Sequence, residues 1–133
     1  MIFNKEAETM SRSGIEALQL ERLKRLVRYC YDNVKLYHDR FDAIGLDPDK
    51  FRTLFDIQYI PPTTKADLRD TYPFGMFAVP KKEVVRIHAS SGTTGNPTVV
   101  GYTRNDLEMW SEIMARIIAA ANVTDEDIAQ ICF

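Results

Sequence analysis

The chain has little of what small proteins use to cross-link or anchor themselves. Its 133 residues contain two cysteines, two histidines and one tryptophan. Cys30 and Cys132 are too few and too far apart for a disulfide framework. Together with His38 and His88 they share no ligand spacing that zinc requires, so no metal site is expected. Both cysteines sit among apolar neighbours and read as reduced packing residues, the state kept in a cytosol. No window approaches the roughly 18 consecutive apolar residues of a membrane span. Met1 to Glu8 lack the basic and apolar regions of a secretory signal. Neither sign of charge is in excess, with 17 Lys and Arg against 19 Asp and Glu for a net −2. That balance provides no electrostatic ground for a nucleic-acid or anionic-membrane partner. What remains is a cytoplasmic globule of one ordinary domain, 45% hydrophobic and 27% charged.

Two textures divide the chain. Residues 1–80 read as a helical N-terminal subdomain whose helices are joined by Pro-containing loops. Residues 81–133 read as strand, loop, strand, helix, strand, so the fold class is mixed α/β. A first helix is expected after Ser13, with Glu16 at capping-box spacing. Ile15, Leu18, Leu23, Leu26, Val27, Cys30, Tyr31 and Val34 recur along it at three- and four-residue steps as one apolar stripe. A second helix over 36–44 should stop at Gly45. Ile60-Pro61-Pro62 must be extended, because each proline drives the residue before it out of the helical region. Thr64 and Asp67 then cap a short helix that ends at Tyr72-Pro73. Lys65 falls in its first turn, where the helix dipole disfavours a cation. Two readings stand there: a solvated side chain costing a few tenths of a kcal/mol, or a cation aimed at a nearby anion.

Val84 to Ala89 has the alternation and β-branching of a strand, and Thr98 to Tyr102 reads as its hairpin partner. Thr103 and Asp106 open a further helix with Leu107, Trp110, Ile113, Met114, Ile117, Ile118 and Ala121 on one face, Trp110 being read as core. Ile128 to Phe133 reads as a buried strand. An apolar strand directly after a helix looks like a βαβ unit cut before its next crossover, so the chain is expected to be a fragment. The same strand offers an edge through which two copies would pair as a homodimer.

The chemistry concentrates in one run. Ser90-Ser91-Gly92-Thr93-Thr94-Gly95 packs four hydroxyls and two glycines between two strands, followed by Asn96-Pro97-Thr98. Glycines let consecutive backbone N–H groups turn inward around an anion, and hydroxyls add neutral donors that rotate to follow a phosphate. Such a loop suits a nucleotide polyphosphate. It is neither a Walker A loop, since no Gly-Lys-Ser/Thr follows, nor a dinucleotide G-x-G-x-x-G, nor a G-x-S-x-G nucleophile elbow. A ligand-free hairpin loop has the same small polar composition.

Ser90 to Pro97 resembles the phosphate signature of the adenylate-forming superfamily. Most members follow the proline with Lys or Arg, whereas Thr98 stands here. Ile87 to Thr103 is similar to the phenylacetate–coenzyme A ligase branch, as are Leu18 to Leu23 and Thr63 to Gly75. The resemblance implies the beginning of an adenylate-forming-enzyme sheet, truncated, within residues 81–133. It implies an ATP-dependent, AMP-forming ligase in which an aryl carboxylic acid and Mg·ATP form an acyl-adenylate and pyrophosphate. Coenzyme A then displaces AMP. Carried over by position, Ser90, Ser91, Gly92, Thr93, Thr94 and Gly95 would hold the β- and γ-phosphates. Thr98 replaces the usual cation, so charge neutralisation falls to Mg²⁺ or a distant residue. Lys65 becomes a candidate contact for the substrate carboxylate or α-phosphate. His88 is either a hydrogen-bonded structural residue or a group shaping the loop and acyl site. No catalytic residue is assignable, and the isolated chain is expected to be inactive. The competing readings are a non-catalytic helical interaction or nucleotide-binding module, and a serine hydrolase, for which Ser90 and Ser91 have only His88 as a base.

Overall fold

A computed structural model describes residues 1–91 and 95–132. Asn4 starts a single turn, α1 (Lys5–Glu8), its side chain accepting from the Ala7 amide. The long helix α2 (Arg12–Asn33) is capped by Ser11 rather than Ser13. Ser11 is extended (φ −62°, ψ 154°), which aims its hydroxyl at the Gly14 N–H, 3.1 Å away. Ser13 already lies in the first turn, and Glu16 pairs with Arg12 at 2.8 Å instead of reaching a cap. α3 (Lys35–Ala43) ends as expected at Gly45, whose φ of +65° is the left-handed conformation that glycine adopts without strain. The N–H groups of Gly45 and Leu46 return to the Asp42 and Phe41 carbonyls at 3.1 and 2.9 Å.

The apolar stripe of α2 meets α3 through Val27 and Phe41, and Phe51 closes the same core. Phe41 is 2% exposed, and Leu23, Tyr31, Tyr37, Leu46 and Ile60 pack around the three. Leu26, counted in the stripe, is 57% exposed and lies off the packed face. Two 3-10 turns, Pro48–Lys50 and Leu54–Tyr59, were not legible in the pattern; Asp47 caps the first and a Thr53/Asp56 box the second. Ile60 is extended (φ −78°, ψ 122°), as the prolines require. α4 (Lys65–Asp70) carries the Thr64/Asp67 capping box. It stops short of Tyr72-Pro73, which is a cis peptide bond.

β1 (Val84–Ala89) and β2 (Val99–Thr103) form an antiparallel hairpin with Arg86 opposite Tyr102, His88 opposite Val100 and Ala89 opposite Val99. The Phe77 ring, 5.1 Å from Phe74, occupies the space over Gly101, where a Cβ would come within 2.6 Å of it. α5 (Arg104–Ala120) leaves β2 directly, Thr103 accepting from the Asp106 N–H at 3.2 Å. Helices with a two-stranded sheet make the fold mixed α/β, as read from the sequence. Two further expectations fail. Residues 128–132 form no strand, with Ile128 99% and Ile131 76% exposed and Cys132 exposed; Phe133 lies outside the described residues. A strand needs a neighbour for its backbone N–H and C=O groups, and among the described residues none lies alongside. Trp110 is 39% exposed, so it is not core. Cys30 is half-buried, and burial pushes its thiol up, which suits an inert packing residue.

Candidate phosphate-binding site

The loop is closed at its base by two reciprocal hydrogen bonds. The Ser90 N–H donates to the Thr98 carbonyl, and the Thr98 N–H donates to Ser90 Oγ, both at 3.0 Å. The hairpin is thereby cinched one pair beyond the β1–β2 ladder. Ser90 Oγ accepts from the protein, which leaves its own proton to donate outward. Thr98 has its amide committed inward, and it supplies no charge in place of the cation usual in the resembled signature. Gly95 has φ +128°, with open space where a side chain would stand. Glycine is required there by backbone conformation rather than by crowding. Ser91 is exposed. Gly92, Thr93 and Thr94 lie outside the described residues.

His88 enters the loop from β1. Its ring lies 5.0 Å from Tyr102 and 5.8 Å from Trp110, edge-on to both, while Tyr102 and Trp110 stack at 5.3 Å. This aromatic group joins both strands to α5 immediately behind the loop. Sequence reasoning missed the grouping, although residues 88, 102 and 110 carried a signal. Strand alternation sets His88 and Tyr102 on one face only once the register is known.

Lys65 opens α4, exposed and, among the described residues, without an ion pair or hydrogen bond. The hydrogen bonds that fix its turn run to α3 rather than to the loop. Asp67 is 8% exposed and receives both Arg40 guanidinium nitrogens, Nη1 at 3.1 Å and Nη2 closer still. It also accepts from the Thr64 N–H at 2.7 Å and hydroxyl at 3.0 Å. The Arg40 guanidinium first, then the Thr64 amide, hold its carboxyl down to about 2. The capping box was legible at Thr64 and Asp67; Arg40, distant in sequence, was not. A surface depression of about 540 Å³ lies elsewhere, between Val85, Arg86, Arg104 and Leu107.

No protein-family model matches the chain. It is 58% identical over 121 residues to a phenylacetate–coenzyme A ligase of Thermus thermophilus, and 52% identical over 126 residues to one of Escherichia coli. Over nearly its whole length, this chain is similar in sequence to phenylacetate–coenzyme A ligases. Those matches take in 91% and 95% of the chain but only 27% and 29% of the two ligases. The chain thus spans under a third of the curated ligases it matches. A match of 126 residues in a chain of 133 necessarily runs through Ser90 to Thr98. Two crystal structures of 2-hydroxyisobutyryl-CoA ligase, both with 2-HIB-AMP and CoA, superpose with TM-scores of 0.76 and 0.78. They share 31% and 26% identity, over 83% and 89% of this chain and 24% and 26% of theirs.

Proposed function

We propose that this chain is the N-terminal part of a cytoplasmic, ATP-dependent, AMP-forming ligase that joins phenylacetate or a related aryl acid to coenzyme A. Residues 1–80 serve as its helical subdomain, and residues 81–133 begin its ATP-binding domain. The observation that carries the reading is more than 50% identity across nine tenths of the chain, loop included. In the first half-reaction a carboxylate oxygen attacks the α-phosphorus, the bridging P–O bond breaks and pyrophosphate leaves. In the second, the coenzyme A sulfur loses its proton and attacks the acyl carbon, and AMP departs.

The first step needs the β- and γ-phosphate oxygens held and their charge offset. Ser90, Ser91, Thr93 and Thr94 donate hydroxyl protons, and the backbone around Gly92 and Gly95 donates N–H groups. A hydroxyl already accepting from a backbone N–H, as in Ser90, is pre-aligned to donate away from the chain. Thr98 acts as the clasp of the loop. Among the described residues no three His, Cys, Asp or Glu side chains gather to ligate a metal. Mg²⁺ accompanying the nucleotide would neutralise charge developing on pyrophosphate. Lys65 is held at the head of α4 to meet the substrate carboxylate or the α-phosphate. His88, backed by Tyr102 and Trp110, sets the strand that delivers the loop.

A titration of the ¹⁵N-labelled chain with Mg·ATP tests the loop, with amide shifts expected from Ser90 to Thr98. A silent loop would instead favour a non-catalytic interaction module. In an enzyme carrying this segment, Lys65→Met is expected to raise the carboxylate KM or lower kcat, and unchanged values would remove Lys65 from the site.

A further inference from the structure

α5 is held from one side. Asn4 donates to Glu112 at 2.6 Å, Glu112 pairs with Arg116 at 2.7 Å, and Ala119 is buried. Asn4 first and then Arg116 lower the Glu112 carboxyl, as expected of a charge engaged on both sides. The opposite side is apolar and open. Met109, Trp110, Ile113, Met114, Ile117 and Ile118 are all 39–56% exposed. Their i, i+1, i+4, i+5 spacing spreads them over about half the helix circumference. The surface continues through Trp110 onto Tyr102, and the register puts Val100, 41% exposed, beside His88 on the same face of the hairpin. Between Met109 and Ile118 no ionisable residue falls within this arc, which Asp106 bounds one turn earlier. Soluble monomers rarely leave an apolar patch of that extent in water.

What covers it is indicated by length. The same local structure, at TM-scores of 0.76 and 0.78, occupies about a quarter of solved ligase chains roughly four times longer. More than two thirds of each curated relative lies outside the match. We infer that the apolar face of α5, continued over Tyr102 and Val100, is the docking surface for the remaining polypeptide of a phenylacetate–coenzyme A ligase. The two parts associate even when supplied as separate chains. The inference rests on the ligase reading for the identity of the partner, and on α5 for the surface.

The test co-expresses this chain with the part of the Escherichia coli ligase that lies outside the matched segment. The expected result is a soluble 1:1 complex by size exclusion with light scattering. Ile113→Lys with Ile117→Lys is expected to weaken it at least 100-fold. A control of equal charge, Gln19→Lys with Gln58→Lys on exposed polar positions, leaves it intact. Both substituted isoleucines face solvent in this chain, so circular dichroism of the isolated variant should match the parent. A partner that stays insoluble on co-expression, a complex indifferent to the lysine pair, or a chain that only self-associates through this face each overturns the inference. Phenylacetate-dependent pyrophosphate exchange by the complex separates the two conclusions. A complex without exchange upholds the docking surface and removes the ligase activity.

Discussion

Asp67 and Gly95 show how much a single residue decides. Asp67 joins α3 to α4 because one carboxylate serves Arg40 and the Thr64 cap together. Its folded value near 2 lies below the ordinary 3.8, so the fold favours the ionised form. The associated stabilisation is complete above about pH 4 and is lost as pH falls from there towards about 2. A carboxyl ¹³C titration should place Asp67 near the lower figure, with the amides of α4 loosening over the same window. Arg40→Met should move the midpoint up, and a wild-type midpoint near 3.8 contradicts the assignment. Gly95→Ala puts a side chain at φ +128°. The expected strain is about 1–3 kcal/mol, read as a lower urea midpoint, together with weakened Mg·ATP shifts in the loop.

At the scale of elements, caps and close contacts carry the testable energetics. Thr103 caps a helix of 17 residues and engages Asp106 reciprocally. Thr103→Ala is expected to cost about 1 kcal/mol in chemical denaturation. Gly101→Val drives a side chain into the Phe77 ring and should cost about 1–3 kcal/mol, unless Phe77→Ala is introduced with it. Additive losses in that double variant would refute the contact. The elements legible beforehand were those with local causes: Gly45 ending α3, Thr64 opening α4, Thr103 opening α5, and alternation defining β1. The cap of α2 was misplaced by two residues because Ser11 and Ser13 are chemically equivalent. Only the extended backbone at Ser11 separates them.

Considered as a whole, the molecule has a small core and a large open apolar face. Phe41→Ala empties the centre of the Val27–Phe41–Phe51 cluster and is expected to cost about 3–5 kcal/mol, enough to unfold the helical half as followed by circular dichroism. The open face of α5 should bind a hydrophobic dye such as ANS in the native chain. Ile113→Lys with Ile117→Lys should reduce that fluorescence with no change in helicity.

The order of residues determined by itself what short-range chemistry dictates: the mixed α/β class, most caps and turns, and a loop of hydroxyls and glycines between two extended segments. The resemblance to ligases was visible there too, because the loop signature is contiguous. Tertiary structure alone decided that Arg40 locks Asp67, that His88, Tyr102 and Trp110 meet behind the loop, and that Ser90 and Thr98 clasp its base. It also decided that Trp110 and the stretch at 128–132 lie open to solvent. An apolar residue records only a preference for burial; whether it is buried depends on a partner surface elsewhere in space, which periodicity along one segment does not encode.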